Sequence, residues 1–182
     1  MKPILFNTDM VRSILEGRKT VTRRVVKPQP DGQPVLMGED SCWPGHFAIQ
    51  GTEKVIRPPY RPGDILWVRE TWSRLETGPY LYKADNEKPL SYLGWRPSIH
   101  MPREAARIFL RVTGVRVDRL QELTLKDAAM EGMDLRGPMF TKFVELWNST
   151  VPKHPNKFKR YPYCWEDNPW VWVIEFERIR KP

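Results

Sequence analysis

The sequence predicts an α+β fold, a small β-barrel with flanking helices. Three observations carry this expectation. Strand-like runs recur along the chain, Pro- and Gly-rich connections separate them, and helical signals fall between only some of them. No internal repeat and no low-complexity tract competes with this reading.

Ile4-Leu5-Phe6 reads as a first short strand. Asn7 or Thr8 then offers an N-cap, Met10, Val11, Ile14 and Leu15 follow at helical spacing, and Gly17 sits where a helix would stop. A polar run, Arg18 to Arg24, leads to a short strand at Val25-Val26. Residues 28–63 carry many prolines and glycines and predict irregular connection, with short strands near Val35-Leu36 and His46 to Ile49. The turn Arg61-Pro62-Gly63-Asp64 feeds a strand, Ile65 to Arg69. A second ragged stretch covers 74–102, with a strand at Tyr80-Leu81-Tyr82. Residues 107–120 alternate as one long bent strand or as a hairpin turning at Thr113-Gly114. Thr124 to Asp127 has the capping-box pattern, opening a helix that runs to about Glu131 and ends at Gly132. Pro138 stands at N1 of a further helix carrying Phe140, Phe143, Val144 and Trp147. Residues 150–169 are loop, with Lys153, Lys157, Lys159 and Arg160. The chain closes on Trp170 to Ile179, a half-buried strand in which Trp172, Ile174 and Phe176 share one face.

At 182 residues this is one domain with room for a core that needs no metal or disulfide staple. A net charge of +8 favours an anionic or nucleic-acid-related partner and says nothing of chemistry. No run of 18 apolar residues occurs and the first residues have no secretory pattern, so a cytoplasmic protein without a membrane span is expected. The two cysteines, Cys42 and Cys164, read as free thiols. Cys42, His46, His154 and Cys164 match no zinc spacing, and no phosphate-loop, dinucleotide or hydrolase-elbow motif is present. Neither a metal nor a cofactor is expected.

Gly17-Arg18-Lys19-Thr20-Val21-Thr22-Arg23-Arg24 is the strongest chemical feature. A threonine hydroxyl needs a base to become a nucleophile, and a lysine made neutral by burial or by neighbouring cations can serve. Lys19 and Thr22 are candidates for these roles, with Arg18, Arg23 and Arg24 as the crowding cations and one of them able to hold an oxyanion. The alternative is a solvated basic turn gripping a phosphate. Glu131, at a helix C-terminus where the dipole disfavours a carboxylate, is a second candidate, or else a surface residue. In Trp67 to Trp72, alternation puts Trp67, Arg69 and Thr71 on one face and Val68, Glu70 and Trp72 on the other. An aromatic plane beside a charged edge reader suits a base pocket, and a core tryptophan beside an exposed ion pair has the same pattern. Trp95 to Arg103 is a loop held by two prolines, presenting His100 and Arg103 for substrate contact or for structural hydrogen bonds.

The Gly17 to Arg24 motif, followed by Pro62 to Glu70, resembles the ASCH domain family of the PUA-like superfamily. Asp127 to Gly132 and the closing strand Trp172 to Phe176 fit the same family. With the Trp95 to Arg103 loop, the chain looks most like the longer phage and prophage members. The resemblance implies a PUA-like β-barrel that binds RNA or modified nucleosides. Compact bacterial members are amidohydrolases that deacetylate N4-acetylcytidine with a Lys, a Thr and a Glu. By motif these fall on Lys19, Thr22 and Glu131. Arg24 would bind the carbonyl oxygen or the substrate, and Trp67, Arg69, Glu70, Trp72, His100 and Arg103 would shape the base pocket. The rival expectations are an RNA-binding module without hydrolysis and a ribonuclease using Lys19 and His100. The stretches near 28–60, 74–102 and 134–168 exceed the compact members and are read as insertions within the single domain.

Overall fold

The computed structural model describes residues 1–74, 78–85, 94–134, 137–152 and 162–182. Its centre is a mixed five-stranded sheet in the order β1-β6-β9-β10-β2. Strand β1 (Lys2–Leu5) runs parallel to β6 (Ile65–Arg69), with Ile4 opposite Val68. The long strand β9 (Phe109–Arg119) pairs antiparallel with β6 and with β10 (Trp170–Ile179). On the other side of β10 lies β2 (Val21–Val25), with Thr22 opposite Ile174 and Arg24 opposite Trp172. Two smaller sheets complete the β structure. One is β3 (Pro34–Leu36), β4 (Phe47–Ile49) and β5 (Val55–Ile56); the other is β7 (Trp72–Arg74) with β8 (Tyr80–Tyr82).

Helix α1 (Thr8–Leu15) starts where Asn7 accepts a hydrogen bond from the Met10 amide, and the chain turns at Gly17 with φ +75°. Helix α2 (Leu125–Met130) has the expected box, in which the Thr124 and Asp127 side chains each accept from the other's backbone amide. Helix α3 (Met139–Thr150) follows Pro138, which is the N-cap and not the first helical residue.

The two faces of the sheet bury separate apolar clusters. Ile4, Val11, Ile14, Val68, Leu110, Trp172 and Ile174 pack on the α1 side. Val21, Leu120, Ala128, Phe143, Trp147, Val171 and Val173 pack under α2 and α3. Strand β10 therefore corrects the half-buried expectation. Val171 through Ile174 are all buried, because the two apolar clusters cover both faces there, and the strand reaches solvent only near its end, at Glu177 and Arg178. Residues 107–120 hold one strand and no hairpin. Gly114 lies opposite Glu175 at an irregularity in the register, where a Cβ would come within 3.0 Å of the Glu175 carboxyl.

A second correction concerns the polar run after α1. Its latter half is strand β2 itself, since ion pairs and hydrogen bonds satisfy side chains that a strand pattern would leave apolar. The expected barrel does not close by a ladder among the described residues. The outer strands β1 and β2 do not pair with each other. Side chains occupy the gap: Arg24 stacks on Phe6 at 5.4 Å and donates to the Leu5 carbonyl at 2.9 Å.

Candidate active site

The chain after α1 is folded back on its own helix. The amides of Arg18 and Lys19 both donate to the Ser13 carbonyl, and the Thr20 amide donates to Met130 at the end of α2. Lys19 and Glu131 form an isolated antiparallel bridge. Gly132 permits this approach. Its φ is +89°, and a Cβ there would lie 2.7 Å from the Ser13 Cβ and 3.0 Å from the Lys19 Cβ. The ends of two helices thus clamp the backbone of the Lys19 motif.

Inside this clamp the Lys19 side chain is 0% exposed. Its Nζ donates to three acceptors: Val21 O at 2.8 Å, Glu131 O at 3.0 Å and Glu131 Oε2 at 2.5 Å. Three donors meet three acceptors, so the ammonium is fully satisfied. Glu131 gives its other oxygen to Arg23, whose Nη1 lies at 3.1 Å, and Arg23 Nη2 reaches Asp127 at 3.2 Å. Arg116 meets the same Asp127 at 3.3 Å. The result is a chain of alternating charge, buried at Lys19, Glu131 and Arg23 and partly exposed at Asp127 and Arg116. Two cations on Glu131 offset the helix-dipole cost of a carboxylate at the C-cap of α2. Burial pushes the Lys19 amine below its ordinary value. Arg24 and Arg23 push the same way, against the Glu131 carboxylate.

Thr22 is 1% exposed, and its hydroxyl accepts from Arg24 Nη1 at 3.1 Å. No carboxylate lies within 4 Å of the Arg24 side chain among the described residues. Thr22 and Glu131 line one cavity of about 30 Å³, together with Met10, Arg23, Phe143 and Trp147. That is space for a water or two. The cavity shares Met10, Arg23, Arg24, Trp147 and Thr150 with a larger cleft of about 590 Å³, reached also by Asn7, Lys27, Thr71 and Ser98. Lys19 lies behind Glu131 and makes no hydrogen bond to the Thr22 hydroxyl.

The remaining sequence candidates stand elsewhere. Glu70 is buried and forms a two-pronged pair with Arg107, at 2.9 and 3.0 Å, while Arg107 also stacks on Tyr82. Burial raises the Glu70 carboxyl against that arginine. Trp67 packs with Ala106 and Phe109, and Arg69 lies over its ring and donates to the Ile99 carbonyl. Trp72 packs with Met101 and Ala105. His100 and Arg103 are exposed. None of these six lines the cleft; Thr71 and Ser98, their neighbours in sequence, do. Sequence reasoning also missed the bridging place of Arg23 and Asp127. For Asp127 the capping box was the available signal. Nothing in the sequence distinguished Arg23 from Arg18 and Arg24.

Among the described residues, no group of three or more His, Cys, Asp or Glu side chains is placed to hold a metal ion, and no helix is long and apolar enough to cross a membrane. Cys42 and Cys164 are free. His154 and the basic cluster Lys153, Lys157, Lys159 and Arg160 lie outside the described residues.

No protein-family model matches the chain. No curated protein matches it. Among solved structures it is similar to the crystal structure of protein EF3133 from Enterococcus faecalis V583, described under the family model DUF984. The two share 11% identity with a TM-score of 0.45, over 99% of this chain and 82% of that one.

Proposed function

We propose that the chain is an ASCH-type, PUA-like amidohydrolase that removes the acyl group from a modified nucleoside, N4-acetylcytidine in the first instance, giving cytidine and acetate. One observation carries this reading. Thr22 and Glu131 line one small cavity that shares Met10, Arg23, Arg24, Trp147 and Thr150 with a cleft of nucleoside size, and the Lys19 amine is held by the Glu131 carboxylate.

In the proposed reaction Thr22 Oγ1 attacks the acyl carbon and its proton passes to the Lys19 amine. Burial and the two neighbouring arginines favour the neutral amine that this transfer needs. The neutral amine keeps two N–H donors for its three acceptors, and its lone pair turns to take the Oγ1 proton as the step proceeds. Arg24, already donating to Oγ1, stabilises the developing alkoxide. The tetrahedral intermediate collapses, the bond from carbon to the exocyclic nitrogen breaks, and the Lys19–Glu131 pair returns the proton to that nitrogen. Water then cleaves the acyl ester on Thr22, with the same pair as base. Arg23 holds Glu131 from its far oxygen.

Purified protein incubated with N4-acetylcytidine should release cytidine and acetate in equal amounts. The absence of turnover, or undiminished turnover by Thr22→Ala, would sink this proposal. An RNA-binding module without hydrolysis is the second reading, favoured by the +8 charge and by the arginines on the cleft wall. RNA binding that falls steeply with salt, in the absence of turnover, would select it.

A further inference from the structure

The lining of the 590 Å³ cleft is one-sided in charge. Arg23, Arg24 and Lys27 reach it, Asn7, Thr71, Ser98 and Thr150 add polar groups, and no aspartate or glutamate among the described residues does. Arg23 is spoken for by Glu131 and Asp127, yet its buried Nε has no hydrogen-bond partner among the described residues. Arg24 and the exposed Lys27 have no carboxylate within 4 Å among the described residues. Lys27 Nζ sits over the Tyr163 ring at 4.9 Å. A neutral nucleoside would leave this excess of positive charge uncompensated. A ligand with an anionic group would neutralise it at low desolvation cost, because Lys27 lies at the solvent end of the run.

We propose that the cleft takes its nucleoside as the phosphate ester, with the acyl group at Thr22 and Arg24 and the phosphoryl group at Lys27. Lys27 is five residues beyond Thr22 in the same run, so the two side chains start at most about 16 Å apart along an extended chain. The cleft volume suits one nucleotide better than a folded RNA. The inference rests on the nucleoside reading of the cleft and names the charge state of its ligand.

The test uses binding of unreactive products, so it does not depend on hydrolysis. Titration calorimetry would compare cytidine, CMP and a cytidine hexanucleotide on the full chain. CMP is expected to bind about tenfold more tightly than cytidine at low salt, the worth of one charge-assisted contact. The Lys27→Ala variant should erase most of that ratio while leaving the cytidine affinity within about twofold. Lys54→Ala, on the separate small sheet where Lys54 pairs with Asp31, should leave the ratio intact. A hexanucleotide that binds more tightly than CMP would mark RNA as the source of the phosphate; CMP at or above its affinity would mark the mononucleotide. Equal binding of CMP and cytidine overturns the phosphate proposal and leaves the amidohydrolase reading standing. No binding by any of the three overturns both. A ratio that survives Lys27→Ala refutes the assigned contact.

Discussion

Replacing Glu131 by Gln tests the electrostatics at the heart of the site. The amide keeps one acceptor and gains a donor, so whichever way it turns, a donor faces either Lys19 or Arg23. Arg23 retains Asp127 at 3.2 Å. Lys19 loses its carboxylate at 2.5 Å with a side chain that is 0% exposed. Removing one partner of a buried pair costs about 3–5 kcal/mol. The lysine has an exit, since it can lose its proton. Neutralising an ordinary lysine at pH 7 costs about 3.4 pH units at 1.36 kcal/mol each, or about 4.6 kcal/mol, which caps the penalty. The sign of the pH dependence follows. Without its carboxylate the folded lysine titrates further below the unfolded value, so the unfolded chain binds more protons and stability rises with pH up to the ordinary lysine value. Urea unfolding at pH 7 and pH 9 should therefore show a variant about 3–4.6 kcal/mol less stable than the parent at pH 7. At pH 9 the gap should be narrower by as much as about 2.7 kcal/mol. A gap below about 1 kcal/mol at pH 7, or one that does not narrow, would refute the buried-charge argument.

The Thr22 hydroxyl accepts one hydrogen bond, from Arg24, so Thr22→Ala should change stability by less than about 1.5 kcal/mol. The same variant should lower the deacylation rate by on the order of 10³ or more, whereas Thr22→Ser should retain measurable turnover. Gly132→Ala forces a side chain into the left-handed region and against Ser13 and Lys19, with an expected cost of about 2–4 kcal/mol in thermal or urea unfolding. With Lys19 as base, kcat/KM should rise with pH through an inflection below the ordinary lysine value. Arg24→Gln removes a cation that presses this amine down, so the inflection should move upward in the pH–rate profile. An unmoved inflection would separate Arg24 from the base.

Elements with local signatures were legible in the sequence. Helix α1 announced itself by Asn7, its apolar spacing and Gly17, α2 by its capping box, and β10 by alternation. Strand β2 and the residues leading into it were not legible, because their polar side chains are stabilised by partners far along the chain: Lys19, just before the strand, and Glu131 are 112 residues apart, and Arg23 and Glu131 are 108 apart. Such pairings have no period. Glu131 was marked in the sequence only as a carboxylate at a helix C-terminus; its catalytic role came from the family resemblance and not from its spacing. The base-pocket candidates failed to gather for a related reason. Alternation says which residues of β6 share a face, but not which face a cleft will occupy. Trp67 and Arg69 do share a face, and it packs on Ala106 and Phe109.

The open edge of the main sheet and the cleft are one feature. The cleft is lined at once by Leu5 and Phe6 at the end of β1 and by Arg23, Arg24 and Val25 of β2, the two outer strands that no ladder joins. A closed ladder here would satisfy the backbone groups of both edges and fill the space a ligand needs. Phe6 and Arg24 bridge the gap instead, which keeps the outer strands in place without closing the opening. The buried Lys19–Glu131–Arg23 chain stands at the inner end of that opening. Buried ion pairs contribute little net stability compared with apolar packing, so stability alone gives no reason to hold three charges beside an otherwise apolar helix-covered face. A reason that does fit is chemical. In the proposed reaction the pair would hold a lysine proton out of contact with solvent, behind a carboxylate that lines the same cavity as Thr22.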